Sequence, residues 1–123
     1  MKKLREVVHS FLKLIHPRIY FQVAPDDAQF PYIVYDFTQI VNDGQEFETI
    51  VIDIDGWDIP NNGDTTLLET LMETLNDTVN KRTLTAENLA VTFYLDRKLS
   101  LTDNDPQIKR RKYIYQARLF GRS

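Results

Sequence analysis

The stretch of residues 31–55, PYIVYDFTQIVNDGQEFETIVIDID, contains two strand patterns, and the first of these is the strongest strand signal in the chain. Its first part, Pro31 to Val41, alternates between two faces with the side-chain period of a strand. One face carries Ile33, Tyr35 and Phe37, and the other carries Tyr32, Val34, Asp36 and Thr38. The second part, Phe47 to Asp55, carries Ile50, Ile52 and Ile54 on one face and Thr49, Val51, Asp53 and Asp55 on the other. The stretch therefore predicts two long strands, each with one apolar face.

A turn signal separates these two strands. Asn42-Asp43-Gly44-Gln45 contains the Asp-Gly pair that favours positive φ angles in tight turns. We therefore expect a β-hairpin with its tip at Asn42 to Glu46. A short aromatic and β-branched run, Ile19 to Val23, predicts a first strand before the hairpin.

Helical periodicity flanks the hairpin on both sides. Lys2 to Ile15 has apolar residues at i, i+3 and i+4 spacing, and Pro17 ends this helix. A second helix is predicted from about Thr65 to Val79, with Asp64 placed to cap its first turn. The apolar stripes are Leu4, Val7, Val8, Phe11, Leu12 and Ile15 in the first helix, and Leu68, Leu71, Met72, Leu75 and Val79 in the second.

The last third of the chain predicts another hairpin. Leu89 to Leu95 and Arg111 to Phe120 alternate as strands do, Lys98 to Gln107 is typical of a polar connection, and Gly56 to Gly63 of a loop. The element order is therefore α-β-β-β-α-β-β. It predicts a single α+β domain over residues 1–123, in which an antiparallel sheet of about five strands packs both helices on one face. The other face of the sheet is expected to be polar and acidic.

Composition excludes several classes of protein. The 123 residues include no cysteine, which excludes disulfides, thiolate nucleophiles, zinc ribbons and iron-sulfur clusters. No apolar run approaches the length of about 20 residues that spans a bilayer. The N-terminal segment lacks the continuous apolar core of a signal peptide. We expect a soluble, non-secreted protein.

Charge is segregated along the chain, although the formal net charge is only -3. Residues 19–80 contain thirteen Asp and Glu and no Lys or Arg. Residues 1–18 and 81–123 carry net charges of +4 and +6 around that segment. This segregation favours head-to-tail contacts between copies, in which charge complementarity sets the register.

The pair Asp53 and Asp55 is the most enzyme-like feature of the sequence. The two carboxylates project from one strand face and could hold Mg²⁺ for a small metal-dependent nuclease or phosphoryl-transfer enzyme. We favour the structural interpretation, because alternate acidic residues are common on a half-exposed strand. No catalytic residue, metal ligand or cofactor-binding residue is assigned.

A basic cluster, Lys109-Arg110-Arg111-Lys112, precedes Tyr113 and Tyr115. Cations beside aromatic rings can bind nucleic acid through phosphate contacts and stacking, as in a small adaptor domain. The alternatives are an edge strand protected by its charges and a surface that meets the acidic segment of a neighbouring copy. We favour these alternatives, because the overall composition is acidic.

The order of elements resembles that of the tail completion proteins of long-tailed bacteriophages and prophages, also called tail terminator or tail-to-head joining proteins. The local anchors of the resemblance are FPYIVY at residues 30–35, DGWD at 55–58 and FYLDR at 93–97. It implies a non-catalytic virion protein that is made in the host cytoplasm. Such a protein forms a ring, usually a hexamer, at the head-proximal end of the tail, where it ends the tail tube and joins the head connector.

The resemblance also implies where partners bind, because members of the family use sheet edges and extended loops for ring contacts. By position, the candidates are the hairpin tip and the loop Ser100 to Gln107, and the charge argument above adds the basic cluster. Named individually, they are Asn42, Asp43, Gly44, Gln45, Glu46, Asp103, Asp105, Lys109, Arg110, Arg111 and Lys112. Asp53 and Asp55 are candidates for an acidic lumen. The expected partners are further copies of the chain, the tail-tube protein and the connector, while DNA passes without specific binding and neither a membrane nor a cofactor is involved.

Overall fold

A computed structural model of the chain describes residues 2–42 and 47–121 and confirms the α+β class. The helices are α1, Lys2–Ile15, and α2, Thr66–Val79, with a short 3-10 turn at Asn61–Gly63 before α2. The strands are β1, Ile19–Phe21; β2, Tyr32–Asn42; β3, Phe47–Asp58; β4, Thr83–Ala86; β5, Leu89–Thr102; and β6, Lys109–Gly121. Just before α2, a carboxylate oxygen of Asp64 accepts a hydrogen bond from the backbone N–H of Thr66 at 2.9 Å, although the N-cap position is Thr65 and not Asp64 as predicted.

One six-stranded sheet runs in the order β1-β2-β3-β6-β5-β4. Every pairing is antiparallel except that of β1 with β2, which is parallel because residues 22–31 carry the chain back to the end where β1 began. The expectation of about five strands in a purely antiparallel sheet was therefore wrong in these two details. The four-residue strand β4 was missed because it follows α2 almost directly and is too short to show alternation.

The strands of the second hairpin are longer than their patterns indicated. β5 continues to Thr102 and β6 begins at Lys109, so Lys98 to Thr102 belongs to a strand and only residues 103–108 connect the two. Lys98, Ser100 and Thr102 are exposed and polar, which is why this segment resembles a polar connection in the sequence. β6 lies between β3 and β5, which overturns the interpretation of the basic cluster as a protected edge strand.

β3 continues past Asp55 through Gly56 and Trp57 to Asp58, where a loop was expected. Gly56 is needed because α2 crosses it closely: a Cβ atom at this position would lie 2.6 Å from Sδ of Met72. The absence of a side chain lets the helix approach the sheet.

The core lies between the helices and one face of the sheet. The predicted inward residues are buried, including Ile33 and Tyr35 on β2, Ile52 and Ile54 on β3, and Tyr115 on β6. They pack with the apolar stripes of α1 and α2. Inside this layer, the Tyr115 hydroxyl donates a 2.7 Å hydrogen bond to the side-chain oxygen of Asn76 on α2. Alternation thus assigned the faces of the sheet correctly.

Candidate interaction site

The sheet face opposite the helices, which we call the open face, has a mixed charge rather than the acidic character expected for it. Cross-strand register explains the difference, because β6 lies beside β3 with Asp55 opposite Lys112 and Trp57 opposite Arg110. The most basic strand of the chain thereby neutralises one of its most acidic strands.

Three ion pairs join these two strands. The Lys112 ammonium lies 3.5 Å from Oδ2 of Asp53 and 3.7 Å from Oδ2 of Asp55. The Arg110 guanidinium lies 3.5 Å from Oδ1 of Asp55. All four side chains are between 14% and 22% exposed, so the pairs are mostly shielded from water. Burial raises the pKa of the Asp55 carboxyl, and the nearby Lys112 and Arg110 offset this increase only in part.

The four cations of the basic cluster do not form one patch, since successive strand residues point to opposite faces. Arg111 points to the helical side and places its guanidinium 3.2 Å from a Glu69 carboxylate oxygen on α2. Lys109 donates to the backbone carbonyl of Pro106 at 3.0 Å. Arg110, Arg111 and Lys112 are therefore paired within their own chain, which weakens the hypothesis of a phosphate-binding cluster.

The carboxylates of residues 19–80 do not share one surface either. Asp53 and Asp55 lie on the open face, Glu69, Glu73 and Asp77 lie on α2, and Asp58 is buried at the end of β3. Segregation along the sequence is thus lost in three dimensions. The hypothesis of charge-guided contacts between copies keeps its candidate residues. It is no longer supported by a single acidic surface.

The two carboxylates that could have held a metal ion point to one face, as predicted, but cationic side chains lie beside them. Asp53 and Asp55 share the open face, and Lys112 and Arg110 already lie against their carboxylates. Within residues 2–42 and 47–121, no group of three or more His, Asp or Glu side chains is arranged to hold a metal ion. The geometry therefore favours a structural role for the pair.

The loop and hairpin candidates divide between described and undescribed residues. Asp43, Gly44, Gln45 and Glu46 lie outside the described residues, and Asn42 is the last residue of β2. Asp103 and Asp105 lie in the connection between β5 and β6, where a carboxylate oxygen of Asp105 accepts from the Gln107 backbone N–H at 2.9 Å.

Sequence reasoning missed an aromatic cluster at one end of the open face. The Tyr32 and Trp57 rings stack with centroids 6.0 Å apart, and the Arg110 guanidinium lies 4.0 Å from the centre of the Trp57 ring. Phe30 and Tyr20 contact the Tyr32 ring from two other sides. The sequence shows these aromatic residues, but they come into contact only because β2, β3 and β6 pair in the sheet.

Two long strand edges have no partner among the described residues. β1 covers β2 only as far as Tyr35, so the outer edge of β2 from residue 36 to 42 is unpaired. At the other side of the sheet, β4 pairs only with the start of β5. Next to it, the side-chain oxygen of Asn80 accepts a hydrogen bond from the backbone N–H of Leu95. The outer edge of β5 from residue 96 to 102 is unpaired beyond that point. Such edges can add a strand from another chain.

The sequence matches the model of the family described as tail completion protein gp17 over residues 5–119. The chain belongs to this family. A solved structure described as the virion of a native gene transfer agent particle contains a similar chain, with a TM-score of 0.73 at 11% sequence identity. The alignment covers 89% of this chain and 84% of that one and shows a shared fold. No curated protein matches the sequence.

Family membership confirms the resemblance found in the sequence and makes the chain a structural tail protein of the virion. Among the described residues, neither helix has the length and apolar character required to cross a membrane.

Proposed function

We propose that this tail completion protein forms a closed ring at the head-proximal end of the tail, where it ends the tail tube and joins it to the head connector. The observation that carries the proposal is the pair of unpaired edges at opposite sides of the sheet, residues 36–42 of β2 and 96–102 of β5. Each protomer therefore offers two different edges of equal length.

The directions of these strands suit a head-to-tail contact. Three antiparallel pairings separate β2 from β5, so the two strands run in opposite directions within one chain. In a row of identically oriented copies, β2 of one copy can therefore pair antiparallel with β5 of the next. A heterologous contact of this kind closes into a ring when the rotation between copies permits.

The positions of the edges also determine the offset between neighbours. Asp36 and Arg97 lie in one cross-strand row through Asp53 and Ile114, and the two edges extend from this row in opposite directions. Matching the edges requires a shift of about six residues, or about 20 Å, along the strands. A constant stagger between strands is also what tilts them in a closed barrel. We expect six copies in the ring.

The open face bears on the passage of DNA. Asp53 and Asp55 remain our candidates for the lumen wall, but Lys112 pairs with both of them and Arg110 pairs with Asp55. A wall of internally paired charges offers phosphates neither a strong attraction nor a strong repulsion, so a duplex can slide along it. The tail-tube protein and the connector are the proposed partners on the two sides of the ring.

Lysine substitutions on the β2 edge test the ring contact. Ile40 and Val41 are 46% and 44% exposed at that edge, and Leu67 on α2 is 61% exposed and serves as the matched control. We expect Ile40→Lys and Val41→Lys to fold but to leave tails without rings in negative-stain images, because an edge lysine opposes strand addition. Leu67→Lys is expected to keep rings. Intact rings in both edge variants would contradict the proposed contact.

A further inference from the structure

Three buried polar atoms on the open face have no hydrogen-bond partner within residues 2–42 and 47–121: Oδ1 of Asp55, Nε1 of Trp57 and Nε of Arg110. Asp55 and Trp57 are two residues apart on β3, and Arg110 is directly opposite Trp57 on β6. The 3.5 Å contact between Asp55 and a terminal nitrogen of Arg110 is an ion pair, and Oδ1 still lacks a hydrogen bond. Buried polar groups in native proteins are rarely left in this condition, and a cluster of three requires an explanation.

All three residues line one cleft of about 300 Å³. Its remaining walls are formed by Gln22, Val23, Ala24, Tyr32 and Val34. Most of this lining is apolar or aromatic. The three unpaired atoms belong to Asp55, Trp57 and Arg110. Apolar walls with a few convergent polar groups are typical of a binding site.

The unpaired atoms indicate which chemical group could pair with all three. The indole and the guanidinium each offer an N–H donor, while the carboxylate offers an acceptor. A carbonyl oxygen can accept from both donors, and an N–H on the same planar group can donate to Asp55. A carboxylate has no donor for Asp55 and would be repelled by it, and an ammonium has no acceptor for the two N–H groups.

We propose that this cleft binds a neutral amide, a backbone peptide or carboxamide group, that another polypeptide presents to Trp57, Arg110 and Asp55. The three atoms are buried in the free chain, so the proposed binding requires the Arg110 guanidinium to move from its position 4.0 Å from the centre of the indole ring. All residues that line the cleft belong to one chain, so the proposed amide binding does not depend on ring formation.

Trp57 is the only tryptophan, so its indole N–H signal in a ¹H–¹⁵N NMR spectrum reports on this cleft alone. The free chain is titrated with N-methylacetamide, which has both a carbonyl and an N–H, and with methyl acetate and sodium acetate, which lack the N–H. We expect N-methylacetamide to shift the indole signal saturably, and methyl acetate and acetate to bind at least about fivefold more weakly. Equal binding of acetate, or no saturable shift with N-methylacetamide, would overturn the proposal.

Arg110→Lys keeps the positive charge and removes the Nε donor. It is expected to weaken N-methylacetamide binding about tenfold. Arg97→Lys makes the same exchange at a side chain that is 63% exposed and outside the cleft, and it is expected to bind as the natural chain does. Equal loss in the two variants would overturn the assignment of Arg110. If Arg110→Lys does not fold, the titration of the natural chain with the three probes still tests whether the cleft binds an amide. A failure of this titration leaves ring formation on tails unaffected, so the two proposals can be separated.

Discussion

The ammonium of Lys112 on β6 lies 3.5 Å from the carboxylate of Asp53 on the neighbouring strand β3. The same ammonium is 3.7 Å from Asp55, and each of the three side chains is at most 22% exposed. Lys112 therefore compensates two carboxylates that would otherwise repel each other on a half-buried face. The pairing also requires β3 and β6 to keep one register, because a slip of one residue would move the lysine to the helical face.

Removing this ammonium should destabilise the fold. We expect Lys112→Gln to lower the free energy of unfolding by about 2 kcal/mol, a value between those of exposed and fully buried ion pairs. Lys109→Gln is the matched control, because the Lys109 ammonium donates to the backbone carbonyl of Pro106. This substitution should lower the free energy of unfolding by less than about 0.5 kcal/mol. Urea denaturation measures both. Equal losses would show that the pairs with Asp53 and Asp55 contribute nothing specific.

The close approach of α2 to β3 makes Gly56 sensitive to substitution. Gly56→Ala should cost about 1–2 kcal/mol, because its Cβ atom would lie 2.6 Å from Met72 Sδ and 3.0 Å from Leu68 Cδ1. Adding Met72→Ala should relieve the clash, so the double variant is expected to lose less stability than the sum of the single variants. The matched pair Gly63→Ala and Met72→Ala should be additive, since a Cβ atom at Gly63 meets nothing within 4 Å. Additivity at Gly56 would contradict the predicted contact.

The hydrogen bond between Tyr115 and Asn76 is a second test of the core. Tyr115→Phe should lower the free energy of unfolding by about 1–2 kcal/mol, because it leaves the Asn76 side-chain oxygen without its donor. Tyr94→Phe, at a tyrosine that is 43% exposed, should cost less than about 0.5 kcal/mol. Thermal or urea denaturation compares the two. A loss of the same size in both variants would remove the case for this hydrogen bond.

His9 on α1 introduces a pH dependence. Its Nδ1 lies 2.8 Å from the Tyr35 hydroxyl, and burial, followed by the charges of Lys13 and Arg5, lowers its pKa below 6.5. The unfolded chain therefore binds a proton more readily than the folded chain just below pH 6.5. Stability should be retained above that pH and lost as the pH falls from 6.5 toward the lowered pKa.

The contribution of His9 is isolated by comparing variants. His9→Gln should show a shallower loss of unfolding free energy with falling pH than the natural chain. His16→Gln should keep the slope that His9 provides, because it leaves the contact of His9 with Tyr35 intact. Urea denaturation between pH 5 and 7.5 gives the three slopes. Identical slopes for His9→Gln and the natural chain would exclude the proposed protonation of His9.

Much of the fold was predictable because its signals are local. Alternation placed Ile33 and Tyr35 on the buried face, and it placed Ile52 and Ile54 beside them. The outer half of β5 was not predictable in this way. Most of its residues are exposed and polar, and Leu99 and Leu101 alone are too few to indicate a strand.

The interaction site depended on pairings that no local pattern specifies. Asp55 and Lys112 are far apart in the chain and become neighbours only through the pairing of β3 with β6. A register shift between Leu95 and Arg97 further changes which β5 residues share a face. The sequence therefore indicated two oppositely charged segments, but not that they neutralise each other, nor that Arg110 covers Trp57.

Cryo-electron microscopy of assembled tails can show the proposed ring and the contacts between its copies. We expect a closed ring of this chain at the head-proximal end, with residues 36–42 of each copy paired to residues 96–102 of its neighbour. A head-proximal tail end without a ring of this chain, or a ring joined through α1 and α2 instead of the sheet edges, would contradict it.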